Sequence, residues 1–452
     1  MTASILSRER SIAPPGWSRW LVPPAALAIH LSIGQAYAWS VLKTPVQNSL
    51  HTTAVGSALP FQVAILVLGL SAAFGGTTVE RRGPRWSMVV AALFWGAGFL
   101  VAALGIVAGQ LWLVVLGYGV IGGIGLGIGY IAPVSTLIKW FPDRPGLATG
   151  LAIMGFGGGA LVASPLSTAL LAGFGKTGGG LAMVFVVLGL IYLVWMLLGA
   201  ALVRLPRGVQ GAAAEAGEVA VPQGGVPAAA ALRTPQFWLL WVVLCFNVTA
   251  GIGVLERAAP LYQDFFAGSS PATVLAAAGA AFVSVLSLAN MLGRFLWSTA
   301  SDVIGRKNMY RVYLGVGAVM YLLLLLIGPG NKAVFLIATL LILSFYGAGF
   351  ATLPAYLKDL FGVYQVGAIH GRLLTAWSVA GVLGPLIVDG VVDANSGTGG
   401  TLASHYTVAF VIMIALLVVA FVCNELVRPV ARRHFVDGAE SPAAAVEEGA
   451  SR

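Results

Sequence analysis

Charged side chains are scarce in this sequence of 452 residues. Asp, Glu, Lys and Arg together make up 9% of the chain, whereas soluble proteins carry about a quarter. With 58% hydrophobic residues and a mean hydropathy of +0.92, this scarcity excludes a water-soluble globular protein. Cysteine is scarce as well, because Cys245 and Cys423 are the only two. Their wide separation excludes a cysteine motif for metal binding or thiol redox chemistry.

Long apolar runs recur along the chain, separated by short segments that carry Arg, Lys, Pro and Gly. A helix that crosses a bilayer needs about 20 predominantly apolar residues. The sequence therefore predicts an all-α membrane protein with twelve transmembrane helices. The predicted spans are residues 20–44, 57–79, 86–107, 111–137, 147–172, 181–203, 236–262, 273–298, 309–328, 333–357, 367–390 and 404–427.

The basic residues predict how the chain lies in the membrane, because loops rich in Lys and Arg stay on the cytoplasmic side. With the N-terminus inside, twenty of the 25 basic residues fall on that side. Four fall outside, namely Lys43, Lys176, Arg257 and Lys332, and only Arg294 falls within a helix. We therefore expect cytoplasmic termini and a multi-pass protein of the bacterial inner (plasma) membrane. The net charge of +9 reports orientation and does not indicate a nucleic-acid partner.

A segment rich in Ala, Gly, Glu and Pro at residues 204–235 shows no apolar helical stripe and divides the chain. We predict a cytoplasmic N-terminal segment (1–19), a six-helix bundle (20–203), a cytoplasmic linker (204–235), a second six-helix bundle (236–428) and a disordered cytoplasmic tail (429–452). The halves also match each other weakly, at offsets of 219–222 residues. Ile33-Gly34 corresponds to Ile252-Gly253, Gly83 to Gly305, Gly129 to Gly349 and Phe141 to Phe361. A duplicated six-helix unit of this kind places its binding site near the midplane between the two copies.

Two loops at equivalent places in the repeat carry an acid, a glycine and then basic residues. The acidic and basic positions are Glu80, Arg81 and Arg85 in the first copy and Asp302, Arg306 and Lys307 in the second. Both copies resemble the loop motif of the major facilitator superfamily, which implies a conformational latch that pairs in one state and releases in another. The simpler alternative is anchoring by positive charge alone. The first copy departs from the family pattern, with Glu80 for Asp and with Pro84 in the basic run.

Helix four contains Gly117-Tyr-Gly119-Val-Ile-Gly122, a spacing that also occurs in dinucleotide-binding loops. Here the glycines lie within an apolar run, without a preceding strand or an acid for a ribose. Their spacing of four residues instead favours close helix packing, as does that of Gly155-Phe-Gly157-Gly158-Gly159 in helix five. We therefore predict no cofactor and no metal site.

Four segments carry a closer resemblance. Helix one reads Gly34-Gln-Ala-Tyr37-Ala-Trp39-Ser40, and the loop after helix four reads Lys139-Trp-Phe-Pro-Asp-Arg-Pro-Gly146. Helices ten and eleven supply Leu357-Lys-Asp-Leu-Phe-Gly362 and His370-Gly-Arg-Leu-Leu-Thr-Ala-Trp377-Ser378 with Gly384-Pro385. Together these segments resemble the oxalate/formate antiporter family and the related monocarboxylate transporters.

Arg294 is the only basic residue that the predicted topology buries, about 12 Å from the membrane face that Asp302 marks. Holding a guanidinium there costs at least about 2.5–3.5 kcal/mol, and a carboxylate would compensate it with two parallel hydrogen bonds. The resemblance implies that Arg294 binds the substrate carboxylate and that Asn290 contacts the substrate. The alternatives are that Arg294 extends to the cytoplasm or pairs with the Asp302 loop.

Other polar residues fall near the middle of the predicted helices, and each is a candidate for substrate contact or simply for helix packing. These candidates are Tyr37, Asn247, Tyr346, Trp377 and Ser378. His30 and Glu256 are candidates for proton coupling, although His30 also suits an interhelical hydrogen bond and Glu256 a pair with Arg257.

The family resemblance also exposes a departure. Oxalate transporters of the family carry a second cation on helix eleven, where this chain has Trp377. One buried cation matches a monocarboxylate but leaves a dianion half neutralised. We therefore expect a secondary transporter, by proton symport or anion exchange, for a monocarboxylate such as formate, lactate or pyruvate, acting as a monomer.

Alternatives are an oxalate/formate-type dicarboxylate exchanger and a carrier of an unrelated solute, for which buried acids would be expected. The midplane sequence offers no such acid. An enzyme is disfavoured, because the sequence shows no buried metal cluster, nucleophile elbow or sizeable soluble domain.

Overall fold

The computed structural model describes residues 6–141, 145–206, 225–362, 366–395 and 401–436. Within these ranges twelve helices are long and apolar enough to cross a membrane, which confirms the predicted number. In chain order they are α1 (Arg19–Ser49), α2 (Ala54–Arg82), α3 (Pro84–Val107), α4 (Leu111–Val134, helical on to Trp140), α5 (Pro145–Phe174), α6 (Gly178–Leu202), α7 (Pro235–Glu256), α8 (Ala272–Ile304), α9 (Arg306–Leu326), α10 (Lys332–Phe361), α11 (Ile369–Asn395) and α12 (Leu402–Leu426).

Two spanning helices change their winding partway. In α1 the α-helical hydrogen bonds give way to a 3₁₀ segment at Gly34–Ala38, and in α4 a π segment occupies Val115–Ile121. Such short departures from α-helical winding commonly mark functional positions. The 3₁₀ segment carries Tyr37, one of the candidate substrate residues.

Helices α1–α6 and α7–α12 form two bundles that meet along two helix pairs, α2 with α11 and α5 with α8. Hydrogen bonds lock the second pair, since Ser287 on α8 donates to the carbonyl oxygen of Gly157 at 2.7 Å and accepts from the amide of Leu161 at 3.0 Å. Farther along the same interface, Ser164 donates to the carbonyl of Ala280 at 2.6 Å. Polar side chains thus join the halves within the apolar interior.

Both terminal segments lie at one end of the bundle, as an even number of spanning helices requires. The amide of Ala13 donates to the carbonyl of Leu205 at 2.9 Å, and the amide of Val436 donates to the carbonyl of Gly225 at 2.9 Å. We call this the near end and the opposite one the far end.

The glycines of α4 line its contacts with two neighbouring helices. A Cβ atom on Gly123 would lie 2.9 Å from the carbonyl oxygen of Ala64 in α2, and one on Gly125 would lie 2.7 Å from the amide nitrogen of Trp95 in α3. No side chain fits at these distances, so the helices approach as closely as their backbones allow. This arrangement agrees with the packing role expected for the glycine pattern.

Both predicted loop motifs turn on a glycine in the left-handed region, with φ of +87° at Gly83 and +88° at Gly305. In the second copy Asp302 pairs with Arg306, which also lies 3.5 Å from the carboxylate of Asp359. Lys307 binds the last carbonyls of α12. In the first copy Arg85 is buried, and the side chains of Glu80 and Arg81 lie outside the described residues. Release of these pairs in a second conformation stays a prediction.

The predicted span 236–262 runs through a break in the structure. Helix α7 ends at Glu256, and a short helix, Ala258–Phe265, follows after Arg257 leaves helical geometry at φ −101° and ψ 11°. Of the predicted linker, residues 207–224 lie outside the described residues, whereas Ala228–Ala231 form a helical turn. Of the predicted tail, Arg432–His434 form a 3₁₀ turn and residues 437–452 lie outside the described residues.

Candidate functional site

At the centre of the interface between the halves lies Arg294 of α8, whose side chain has no exposed surface. Its Nε donates to Oδ1 of Asn290 at 3.1 Å, and its terminal nitrogens donate to the carbonyl of Ile153 at 3.4 Å and to the hydroxyl of Tyr37 at 3.5 Å. Among the described residues no carboxylate lies within ion-pair distance of this guanidinium. A full positive charge is therefore buried with neutral partners only.

Aromatic rings from both halves surround this charge. The guanidinium carbon lies 5.8 Å from the ring centre of Phe156 and 5.3 Å from that of Phe350. Tyr37 of α1 and Tyr346 of α10 share a hydrogen bond between their hydroxyls at 2.5 Å, which crosses from one half to the other. Ring faces attract the cation without neutralising it, so the guanidinium keeps its full positive charge.

Trp377 of α11 completes the aromatic wall. Its ring packs edge-to-face on Tyr130 and Phe156 and lies 4.5 Å, centre to centre, from Phe350. The neighbouring Ser378 donates to the carbonyl of Leu66 at 2.9 Å, across the α2–α11 contact. The structure thus brings Trp377 to the rings that contact Arg294, while Ser378 serves the packing of the halves.

Several polar atoms in this region are buried without a hydrogen-bond partner among the described residues. They are Nδ2 of Asn290, Nε1 of Trp377, the hydroxyl of Tyr130 and Nδ2 of Asn247. A buried donor left unpaired costs about 1–3 kcal/mol, so such donors favour a bound acceptor. A small carboxylate could accept hydrogen bonds from Arg294 and Asn290 together.

Two other candidates lie beside the site and not in it. Nε2 of His30 lies 3.1 Å from the carbonyl oxygen of Tyr130, which joins α1 to α4 and matches the interhelical hydrogen bond considered from the sequence. Asn247 of α7 packs against Gly349 of α10. Asn247 has no described hydrogen bond with Arg294.

A second group of charges lies toward the far end and was missed by the sequence analysis. Nζ of Lys43, in α1, lies 2.9 Å from a carboxylate oxygen of Glu256 in α7 and 2.6 Å from one of Asp389 in α11. All three side chains are completely buried. Because the lysine and the two acids belong to different halves, these ion pairs close the interface at this end.

The group extends outward through Arg257, which lies 2.7 Å from Asp389 and 3.8 Å from Asp264. Tyr406 accepts a hydrogen bond from Arg257 at 2.8 Å and donates one to Asp264. Burial by itself lowers the pKa of Arg257, but the neighbouring Tyr406 and Asp389 raise it above its ordinary value. Burial raises the pKa of Asp264, against the effect of its hydrogen bond from Tyr406. We call Lys43, Glu256, Asp389, Arg257 and Asp264 the far-end cluster.

One expectation from the sequence is wrong here. Arg294 is not the only buried basic residue, since Lys43, Arg85 and Arg257 are buried as well. Glu256 and Asp389 are buried toward the far end, away from the midplane, for which the sequence predicted no acid. Glu256 also contacts Lys43, while the carboxylate partners of Arg257 are the two aspartates. Apart from Arg257 and Asp264, the partners are more than 130 residues apart in the sequence, so no local pattern predicts these pairs.

Comparison with known proteins supports this architecture. The sequence model of the Major Facilitator Superfamily matches residues 25–385 and 283–448. The oxalate:formate antiporter of Oxalobacter formigenes is 27% identical over 91% of this chain and 93% of its own length. The apicoplast pyruvate carrier 1 of Toxoplasma gondii is 25% identical over 76% of this chain and 70% of its own length.

Among solved structures, the fold is similar to that of a D-xylose–proton symporter, with a TM-score of 0.69 over 91% of this chain and 98% of that one. A bacterial homologue of the human lysosomal transporter Spinster gives a TM-score of 0.65 over 95% of this chain. At 16–17% identity these two likenesses concern the fold alone.

Proposed function

Because this chain belongs to the Major Facilitator Superfamily, we propose that it carries a small monocarboxylate, of the formate, lactate or pyruvate class, by alternating access. The chain is a transporter and not an enzyme. Its two six-helix halves would expose the central site to one side of the membrane and then to the other. The carboxylate of the substrate would be the counterion of the buried Arg294.

The observation that carries the proposal is the absence of a carboxylate beside Arg294 within the described chain. An uncompensated guanidinium in an apolar interior is costly, and such groups in membrane proteins mark substrate or ion pathways. The planar fork of Arg294 suits two carboxylate oxygens, and Asn290 offers a further unpartnered donor beside it. The rings of Phe156, Phe350 and Trp377 suit the small apolar body of an organic acid.

The charge of the substrate follows from which buried cations are free to bind it. Lys43 and Arg257 each contact two carboxylates, so neither is available, and the buried Arg85 belongs to the loop motif at the near end. Arg294 alone would neutralise one negative charge, and Trp377 supplies an N–H donor but no second positive charge. A monocarboxylate is thereby balanced, whereas a dianion would bring an unpaired charge into the interior.

Similarity to the oxalate:formate antiporter over nine-tenths of this chain favours a second candidate, exchange of a dicarboxylate such as oxalate. The similar apicoplast pyruvate carrier 1 is named for a monocarboxylate, so the relatives themselves divide on this point. We place the near end in the cytoplasm of a bacterial inner membrane, because most basic residues lie there. The protein is proposed to work as a monomer.

The proposal is tested by reconstituting the purified protein in liposomes and measuring uptake of labelled formate, lactate, pyruvate and oxalate. We expect uptake of at least one monocarboxylate and little of oxalate. Arg294→Lys keeps the charge but loses the two-pronged geometry, so uptake should fall about 100-fold.

The matched control is Arg311→Lys, which alters an exposed ion pair with Glu425 at the near end. Exposed pairs contribute little, so this variant should retain uptake within about twofold. Unchanged uptake in Arg294→Lys would refute the assigned site. Strong oxalate uptake by the unmodified protein would favour the dicarboxylate exchanger instead.

A further inference from the structure

We infer that Glu256 and Asp389, with Lys43 between them, bind one proton as the far end of the transporter closes and release it as that end opens. Their carboxylates belong to one half and the lysine to the other, so the three meet only when the halves are joined at this end. The site is therefore a proton-binding gate. Its role in transport rests on the proposed function, but its pH response does not.

Charge balance within the far-end cluster supports the inference. Two cations, Lys43 and Arg257, face three carboxylates, those of Glu256, Asp389 and Asp264. The cluster therefore carries one excess negative charge when every group is ionised. Asp264 keeps a side-chain exposure of 23%, whereas Glu256 and Asp389 are completely buried. One proton shared by the two buried acids would remove the excess.

Two atoms are placed to take that proton. Oε1 of Glu256 and Oδ2 of Asp389 are buried and have no hydrogen-bond partner among the described residues, while the second oxygen of each carboxylate contacts Lys43. Two carboxylates that share one site cannot easily both stay ionised in low dielectric. A protonated acid would keep one oxygen beside Lys43 and carry the proton on the other.

The remaining polar groups around the pair do not supply the missing positive charge. The amide of Val55 in α2 approaches Asp393 at 3.3 Å, and Tyr406 serves Arg257 and Asp264. His405 is buried nearby, and its backbone carbonyl accepts from Asn395 at 3.5 Å. The charged or titratable groups on the elements packed here are thus Lys43 on α1, Glu256 on α7, Arg257 and Asp264 around the short helix, Asp389 and Asp393 on α11, and His405 and Tyr406 at the start of α12.

The gate and the central site are linked through α1. Tyr37 contacts Arg294, and Lys43 follows it by six residues, about 9 Å along the helix. A bound monocarboxylate adds one negative charge and raises the proton affinity of the pair about tenfold at an effective dielectric near 20. By reciprocity the proton strengthens binding of the anion equally.

Opening the far end would separate Lys43 from both acids and admit water to all three. The carboxylates would then be solvated and would release the shared proton at neutral pH. Closure therefore takes up one proton, and lowering the pH favours the closed form. For a single linked proton the ratio of closed to open molecules changes by up to about tenfold per pH unit.

The pH response is measured without any substrate. Spin labels on Asn48→Cys and Ala394→Cys, exposed far-end positions of opposite halves, report the separation of the halves by pulsed dipolar spectroscopy after Cys245 and Cys423 are replaced by Ser. We expect the short distance to dominate at pH 6 and a longer one to gain population by pH 8. In Glu256→Gln and in Asp389→Asn this response should vanish.

Asp393→Asn is the matched control, because it removes an acid one turn away on α11 that also joins the halves, through the amide of Val55. It should keep the pH response. If a single variant fails to fold, Lys43→Met/Glu256→Gln removes one charge of each sign and should likewise be insensitive to pH. Identical distances at pH 6 and pH 8 in the parent protein, or a full response in Glu256→Gln, would overturn the inference.

A second measurement connects the gate to transport. In liposomes, the initial rate of uptake of the transported acid should change with the pH on the far-end side, because the proton that binds as this end closes is taken from that side and returned to it. Glu256→Gln should lose this pH dependence, while still exchanging labelled for unlabelled substrate. Arg294→Gln should lose exchange but keep the spin-label response. Failure of the substrate assignment is thus distinct from failure of the gate, which is refuted by an unchanged pH dependence of uptake in Glu256→Gln.

Discussion

The centre and the far end of this transporter bury cations in opposite ways. At the centre, Arg294 has only neutral partners in the described chain, with Asn290 and Tyr37 accepting its hydrogen bonds. At the far end, Lys43 is held between Glu256 and Asp389. Both cations face an apolar interior, where a charge without a counterion is costly. The far end thus supplies carboxylates to its own cations, whereas the centre, on the function proposed above, leaves its cation to a ligand.

Among substitutions that compare the two regions, the largest expected difference is in the stability of the protein. Lys43→Met leaves two buried carboxylates side by side without their cation, which should lower the free energy of unfolding by about 3–5 kcal/mol. Arg294→Met strands no acid and should leave stability unchanged or higher. Thermal unfolding of both variants in the same detergent measures the contrast. Part of the loss in Lys43→Met should be recovered at low pH, where the acids protonate.

Equal stability of the two variants would contradict the comparison. It would mean either that Lys43 contributes nothing in the closed form or that Arg294 has a counterion among residues that the structure leaves undescribed. Asp302→Asn is a suitable reference for both, because its pair with Arg306 lies at the half-exposed near end. Its effect should stay within about 1 kcal/mol.

An acidic residue introduced beside Arg294 should give the centre a buried ion pair of the kind that the far end already has. Asn290→Asp places a carboxylate where Oδ1 now accepts from Nε of Arg294 at 3.1 Å. When ionised it would neutralise Arg294 and exclude the substrate; when protonated it would release the guanidinium. Uptake should therefore fall at least about tenfold between pH 6 and pH 8, beyond any change in the parent protein.

The control for this experiment is Asn247→Asp, an amide in α7 that has no described contact with Arg294. It should not confer the same pH profile on uptake. If Asn290→Asp transported equally well at both pH values, Arg294 would not be the group that holds the carboxylate.

A second cation at the centre should change which anions are accepted. Trp377→Lys adds positive charge to the wall formed by Phe156 and Phe350. The ratio of oxalate to formate uptake should rise about tenfold, as expected for one added charge near the substrate. Uptake competition in liposomes gives the ratio directly, and Trp377→Met controls for the lost ring. No change in the ratio would show that the wall does not face the substrate.

The sequence was enough to predict the fold and the burial of Arg294, because each has a local signature. Twelve apolar runs predict twelve spans, and Arg294 stands out in the sequence because it lies inside one of these runs. The far end has no such signature, since Lys43, Glu256 and Arg257 fall at helix ends, where charges are ordinary. Asp389 lies within an apolar run and could have been noticed, yet its partners come from α1 and from the residue after α7. Only the packing of the halves shows that these charges are buried together.

The smallest effect should come from the neutral link across the centre. Tyr37 and Tyr346 join the halves by one hydroxyl hydrogen bond at 2.5 Å, while the far end joins them by ion pairs. Tyr346→Phe removes that bond and leaves its ring, a loss of about 1 kcal/mol or about fivefold in the balance between conformations. Because no charge changes, the loss should be the same at pH 6 and pH 8. Uptake rates measured at both values, with Tyr356→Phe as the control, would give this result. A loss in Tyr346→Phe that grew with pH would mean that this hydroxyl pair also carries a proton, and the division between a neutral centre and a titrating far end would no longer hold.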